Sequence, residues 1–255
     1  MILEGRVSLI TGAARGIGKA TGQLFAKEGS KIAIADIKDQ EGNRAVQEIK
    51  REGGDALYIH ADLSKISAVE MIVNKTVEHF GRLDIFFHNA GIPGPGFIER
   101  TTEDGYDLLM AINLKAAFFG AKYAIPEIRK AGGGSILFTG SGAGLRPSPA
   151  SPSYSVSKAG LVMLTRSLAY HVAKYNIRVN CICPGMVETE LWPEFISRNP
   201  EVKPEDVTKG YLERRAIKRF GTADEMAEAA LFLVSHKASW ITGLSLPVDG
   251  GGSAG

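Results

Sequence analysis

Cysteine is almost missing from this chain: Cys181 and Cys183 are the only two among 255 residues. A disulfide-stapled scaffold is thereby excluded. Two apart in an apolar run, the pair points to one face of a strand and is not placed to close an ordinary disulfide, so buried free thiols in a reducing compartment are expected. Net charge is equally scarce. Thirty basic against twenty-eight acidic residues leave +2, spread along the chain, which excludes the broad electrostatic footprint of a nucleic-acid or membrane-surface binder. No window holds the roughly 18 consecutive apolar residues of a membrane span, and the opening MILEGRVSLITG lacks a basic segment followed by a long apolar stretch. A cytoplasmic protein is expected, with neither nucleic acid nor membrane as partner. No Pro/Ser-rich linker, charge run or solenoid-period repeat divides the sequence, so residues 1–255 read as one domain.

Glycine is abundant where these are not. Thirty glycines make about 12% of the chain against a usual value of about 7%, without the period of collagen. Short β-branched or apolar runs (7–10, 31–35, 56–60, 83–87, 135–139, 177–183 and 244–248) alternate with helical patterns (16–29, 39–52, 65–79, 103–130, 153–174 and 223–235). That alternation predicts an α/β fold of the doubly wound, Rossmann type: a seven-stranded parallel sheet with helices on both faces. Two stretches break the rhythm. GIPGPG, 91–96, is a turn-rich loop at a strand end, and 186–218 is an apolar excursion with Trp192, Phe195, Ile196, Tyr211 and Leu212, expected to form a lid over a ligand crevice.

The first strand runs into Thr11-Gly12-Ala13-Ala14-Arg15-Gly16-Ile17-Gly18, and a helical pattern starts at once. Glycines there let the turn close and let backbone amides meet a pyrophosphate at the positive end of the helix. Strand before and helix after are the context such a motif requires. Asp36, at the end of the second strand, follows Gly18 by 18 residues, close to the roughly 20 expected for an acid that bonds the adenine ribose hydroxyls. A carboxylate there repels a 2′-phosphate, so NAD is expected over NADP. Arg15 and Lys38 weigh the other way, since each is placed to reach a phosphate.

Tyr154-Ser155-Val156-Ser157-Lys158 opens a helical pattern after the Gly/Pro/Ser-rich loop SGAGLRPSPASPS. Four apart, Tyr154 and Lys158 share a helix face, and a neighbouring ammonium makes a phenolate accessible. The spacing alone is unspecific. Ser141, 13 residues before Tyr154, closes the fifth strand at the carboxyl edge where open α/β sheets bind ligands; Ser148, Ser151 and Ser153 do not end a strand, and Ser157 is expected to pack on its helix. The histidines (60, 79, 88, 171 and 236) show no HExxH or other close pairing, so no metal is expected. His88 is read as core, with the reservation that it abuts Asn89. RRAIKR, 214–219, is read as a solvated face.

Together these pieces resemble the short-chain dehydrogenase/reductase family, in its single-domain branch of about 250 residues, over essentially the whole chain. The matching parts are Thr11 to Gly18, Asp62-Leu63, Asn89-Ala90-Gly91, Asn113, Ser141, Tyr154 to Lys158, and Pro184-Gly185-Met186-Val187-Glu188-Thr189. The resemblance implies that Tyr154 is the general acid/base, that Ser141 holds the substrate oxygen and the tyrosine, and that Lys158 bonds the nicotinamide ribose and depresses the tyrosine pKa. It implies that Asn113 holds a water in a proton relay and that Asp62 meets the adenine amino group. Asn89 to Gly91 would line the cofactor floor, Val187 and Thr189 would bond the carboxamide, and a homotetramer would form through the long helices and the last strand. The resulting expectation is an NAD-dependent interconversion of secondary alcohol and ketone. Alternatives are an NADP-dependent 3-oxoacyl thioester reductase, a sugar or polyol dehydrogenase, and a dinucleotide-binding sensor or scaffold without catalysis. The substrate pocket is expected around Ser141, Tyr154, Gly185 and Trp192, walled by 92–97, 142–152 and 186–196, with Arg146 available to an anionic group.

Overall fold

The computed structural model describes residues 1–148, 151–198 and 201–254. Pro149 and Ala150 of the expected pocket wall, Asn199 and Pro200 of the expected lid, and Gly255 lie outside the described residues. Seven parallel strands form one sheet: β1 (Val7–Thr11), β2 (Lys31–Asp36), β3 (Ala56–His60), β4 (Ile85–His88), β5 (Gly134–Thr139), β6 (Ile177–Pro184) and β7 (Ser245–Val248). Their order across the sheet is β3-β2-β1-β4-β5-β6-β7, each neighbour in parallel register. The inner strands β1, β4, β5 and β6 are buried almost throughout, which is why they read as continuous apolar runs and not as alternating ones.

Helices cover both faces. On one, α3 (Ile66–Phe80), α5 (Ala116–Lys130) and α7 (Pro152–Val172) pack over Leu9, Phe86, Ile136, Phe138 and Val179. On the other, α1 (Gly16–Lys27), α2 (Asp39–Arg51) and α10 (Ala223–Val234) pack over Ile10, Ile34, Phe87, Leu137 and Ile182. Two termini show their local cause. α3 stops at Gly81, whose φ of 81° suits a residue without Cβ, and α10 starts in a capping box between Thr222 and Glu225.

The sequence pattern predicts one helix over 103–130, and here the chain differs. α4 (Glu103–Met110) is separated from α5 by a π-helical turn, Ala111–Lys115, in which Ala116 N–H bonds the Ala111 carbonyl five residues back. By length and composition the whole stretch Glu103–Lys130 is apolar enough to cross a membrane, which the count of consecutive apolar residues does not register. Its Leu109, Ala117, Ala121, Ala124 and Ile128 are buried in the protein. The excursion 186–218 carries α8 (Leu191–Ser197) and α9 (Pro204–Glu213), and a four-residue turn, α6 (Gly142–Leu145), follows β5. Near the C-terminus, Ile217 N–H bonds the Gly250 carbonyl, and Gly251 lies against Ala216.

Candidate active site

The switch point of this sheet lies between β1 and β4, whose following chains depart to opposite faces, so a crevice opens at their carboxyl ends. The turn after β1 enters it first. Gly12 has φ of 63°, and a Cβ there would stand 2.7 Å from Ala90 Cα; at Gly18 it would stand 2.3 Å from the Gly12 carbonyl oxygen. At Gly16, φ 55°, a Cβ would stand 3.3 Å from the Thr189 methyl. Arg15 is the N-cap of α1, no side chain caps it, and no acid lies in the first turn around Ile17. The positive end of α1 is thus open to an external anion.

Asn89 fixes this turn to its neighbours. Its Nδ2 donates to the Gly12 carbonyl at 3.0 Å, its Oδ1 accepts from Thr139 Oγ1 at 3.0 Å, and Asn89 and Ala90 both donate backbone N–H to Thr11 Oγ1 at 3.1 Å. Asp36 closes the far side, its two oxygens accepting from Ala14 N and Lys38 N, each at 3.0 Å. Arg15 pairs with Glu194 of α8 at 2.6 Å. Asp62 lies after β3 with Oδ1 taken by Ser64, whose hydrogen bonds lower the carboxyl pKa, and Leu63 beside it is buried.

Ser141 follows β5, accepts from Ala143 N at 3.1 Å, and hydrogen-bonds the Tyr154 hydroxyl. Tyr154 is buried on the first turn of α7. Burial raises its pKa; the Ser141 hydrogen bond and the positive charge of Arg198 act the other way. Lys158, one turn on, is buried, its Nζ donating to the Thr139 carbonyl at 2.8 Å and standing 5.6 Å from the centre of the Tyr154 ring. Burial pushes its pKa down to about 8. Gly91 makes room for it: a Cβ would lie 3.3 Å from Lys158 Nζ and 3.4 Å from Asn113 Oδ1.

Asn113 sits in the π turn, fully buried. Its Oδ1 accepts from Ile92 N at 2.9 Å, and its Nδ2 donates to the Ile92 carbonyl at 3.0 Å and to Ser157 Oγ at 3.2 Å. Both amide hydrogens are therefore spent on protein. Ser157 in turn donates to the Tyr154 carbonyl, so the π turn, the loop after β4 and α7 are joined at one point. His88, behind this junction, is fully buried, and burial holds its pKa near 3, so it stays neutral. Cys181 and Cys183 are buried and free, 3.9 Å apart beneath Gly140.

Pro184 ends β6 and Gly185 follows, without room for a Cβ against Tyr211 and Asp249. Val187 is buried and pairs with Gly221 in a short bridge. Trp192 stands one residue pair away from Tyr154: it stacks on Phe195 at 6.1 Å, and Phe195 meets the Tyr154 ring edge to face at 5.7 Å. In the basic cluster, Arg215 is half-buried over the Tyr211 ring at 3.8 Å, so it is not a solvated side chain. Arg198 is the site residue that sequence reasoning leaves out, Phe195 having been expected in the lid. The signal available was the spacing of 192, 195 and 198, which stacks three side chains on one helix face.

The geometry has counterparts among known proteins. A family model described as enoyl-(acyl carrier protein) reductase matches residues 12–253. The chain is 44% identical to an oxidoreductase of Thermotoga maritima, covering all of both chains. It is 36% identical to a 2,5-dichloro-2,5-cyclohexadiene-1,4-diol dehydrogenase of Sphingobium indicum, over 99% of this chain and 98% of that one. A solved levodione reductase superposes with a TM-score of 0.92 at 33% identity, over 99% of each chain.

Proposed function

The chain belongs to the short-chain dehydrogenase/reductase family, and from that premise we propose that it is an NAD-dependent oxidoreductase interconverting a secondary alcohol and a ketone. The observation that carries this reading is the convergence of Ser141, Tyr154 and Lys158 on one buried point beside Gly91. The coarser statement, an oxidoreductase of this family acting on alcohol or ketone groups with a nicotinamide dinucleotide, follows from membership.

The crevice fits such a dinucleotide. The uncapped α1 terminus offers amide donors to a pyrophosphate, and the glycine turn leaves no Cβ in the way. Gly12, Arg15, Gly16, Ile17 and Gly18 would hold the phosphates, and Asp36 the adenine ribose. Asp62 and Leu63 would border the adenine, while Asn89, Ala90 and Gly91 line the floor. Tyr154 and Lys158 would hold the nicotinamide ribose, with Pro184, Gly185, Val187 and Thr189 at the nicotinamide itself. When bound, the dinucleotide supplies the hydride acceptor or donor. NAD is favoured in this reading because the Asp36 carboxylate, held by Ala14 N and Lys38 N at the end of β2, would repel a 2′-phosphate, while Arg15 is engaged by Glu194.

Tyr154 exchanges the proton of the substrate hydroxyl at its Oη. Ser141 donates its one hydrogen to the substrate oxygen beside it, stabilising developing negative charge, while its own oxygen accepts from the Tyr154 hydroxyl. With a pKa near 8, Lys158 is still charged at neutral pH, and Thr139 aims its ammonium toward the tyrosine. Asn113 positions α7 through Ser157. Segments α8 and α9, 186–218, act as the lid, Trp192 and Phe195 forming the apolar wall. That wall suits a medium-sized ring or chain, as do the cyclic diol and the dione in the names of two relatives. Phe118, Val156, Met163, Tyr170 and Trp240 are exposed, which supports self-association, here proposed as a homotetramer and measurable by light scattering.

The test is turnover of a panel of secondary alcohols, diols, polyols and 3-oxoacyl thioesters with NAD(H) and NADP(H), in wild type and Tyr154→Phe. Turnover with NAD at least about tenfold faster than with NADP is expected, with a loss on the order of 10³-fold in the variant. Faster reduction of oxoacyl thioesters with NADPH would select the runner-up. Dinucleotide binding without any turnover would select a sensor.

A further inference from the structure

Arg198 ends α8 with its guanidinium turned inward under the loop after β4. Nη1 donates to the carbonyls of Pro93, Gly94 at 3.3 Å and Pro95 at 3.2 Å and to Ser151 Oγ at 2.9 Å, and Nε donates to the Phe195 carbonyl at 2.9 Å. Its Cζ lies 3.7 Å from the centre of the Phe195 ring, and that ring meets the Tyr154 ring edge to face. Every one of these acceptors is a neutral oxygen. Nη2 is buried and has no acceptor among the described residues.

A guanidinium carries five N–H donors, so Nη2 holds the two that remain idle. Burial lowers the pKa of Arg198 to about 10, which leaves it charged at neutral pH, and its charge and the Tyr154 hydroxyl act on each other directly. A half-buried guanidinium with one covered, unpaired nitrogen, whose charge acts on Tyr154, is better satisfied when an acceptor arrives. The arriving group is not the dinucleotide phosphate, because the α1 terminus and Arg15 are reached from the glycine turn, whereas Arg198 is held by the 93–95 loop. A carboxylate meets both needs, since it accepts from paired N–H donors and cancels the charge. Nη1 keeps the fork anchored before binding, so little ordering is left to do.

We propose that Arg198 is a substrate-binding residue whose idle Nη2 receives a carboxylate borne near the carbinol carbon, making the preferred substrate a hydroxy acid and its ketone form an oxo acid. This deepens the alcohol–ketone reading above and rests on it. The chemistry of the reacting centre is unaltered, and Arg198 acts on selection.

The experiment compares 2- and 3-hydroxypentanoate, each against its methyl ester, in wild type, Arg198→Lys and Arg198→Met. For at least one position of the hydroxyl, wild type is expected to favour the acid about tenfold or more in kcat/KM, chiefly through KM. That ratio should collapse toward one in Arg198→Met and fall part of the way in Arg198→Lys. Because each ratio is taken within one protein, a general loss from loosening the 93–95 loop cancels. A wild-type ratio of one or below at both positions, or a ratio that Arg198→Met leaves intact, overturns the proposal. If Arg198→Met does not fold, Arg198→Gln is read in the same way, and the wild-type ratio decides by itself. If wild type turns over no secondary alcohol or ketone, the hydride-transfer reading is what has failed. Binding of hydroxypentanoate then decides, followed by quenching of Trp192 in a Trp240→Phe background. Saturable quenching lost in Arg198→Met supports the site, and its absence in the parent overturns it.

Discussion

Replacing Asn113 by alanine probes the junction between the π turn, the loop after β4 and α7. Three hydrogen bonds disappear, two with the Ile92 backbone and one with Ser157. At about 1 kcal/mol net for each, the ceiling is about 3 kcal/mol. Ile92 is only half-buried, so water restores part of what its amide and carbonyl lose, while Ser157 keeps its bond to the Tyr154 carbonyl. The expected loss is therefore about 2 kcal/mol, or about 4–8 °C in Tm for a chain of this size, read by calorimetry at fixed protein concentration because association also moves Tm. Asn113→Asp keeps the shape but faces the Ile92 carbonyl with an acceptor and puts an acid in a fully buried site, so it should cost more than alanine does. Turnover of Asn113→Ala should drop mainly in kcat, since Gly91, Lys158 and α7 share this junction. A double-mutant cycle with Ser157→Ala should show coupling of about 0.5–1.5 kcal/mol. A Tm within about 1 °C of wild type, unchanged kcat or strict additivity would each refute this account of the π turn.

Gly18→Ala should weaken dinucleotide binding by more than about tenfold, because its Cβ would press on the Gly12 carbonyl and Asn89 Nδ2; an unchanged Kd by calorimetry would show that the turn is not the phosphate site. Asp84, fully buried, accepts from Arg6 Nη1, Val7 N and two nitrogens of Arg82. Asp84→Ala should cost about 3 kcal/mol in urea unfolding, the lower end of the range because both arginines are half-exposed. For His88, burial lowers the folded pKa to about 3 against an ordinary value near 6.5, so between these the unfolded chain binds the extra proton and stability falls as pH falls. His88→Gln should flatten that dependence by as much as about 1.4 kcal/mol per pH unit, and parallel stability curves for variant and wild type would contradict it.

All seven strands are legible in the sequence because inner parallel strands are apolar on both faces, a signal that depends on composition alone. Their ends move by a residue or two, β4 starting at Ile85 and β7 at Ser245. The π turn is not legible. Apolar residues run through 103–130 at helical spacing, and one extra residue in a turn changes no composition. The motif residues converge as their spacing implies, but what each side chain bonds is decided by chain segments distant in sequence: Asn113 by Ile92 and Ser157, Arg15 by Glu194. Arg198 was out of reach for the same reason, since its partners lie about a hundred residues earlier in the 93–95 loop. The packing of Gly250 and Gly251 is not legible either, because their partners, Ala216 and Ile217, lie in an exposed connection without a pattern of its own.

The strand order has a consequence for how the protein is made. β1 lies between β2 and β4, and the crevice takes groups from the ends of β1, β4, β5 and β6 and from α8, so its parts span positions 11 to 198. A chain emerging from the ribosome can complete β1, β2 and β3 with their helices while no part of the proton-transfer site exists. Such non-local closure is slow. During refolding, helical signal should consequently return well before activity, and the last event should be the seating of α8 that brings Phe195 and Arg198 onto Tyr154. The partly folded chain meanwhile exposes the edges of β1 and β4, so successful biogenesis depends on how quickly the second half of the sheet covers the first.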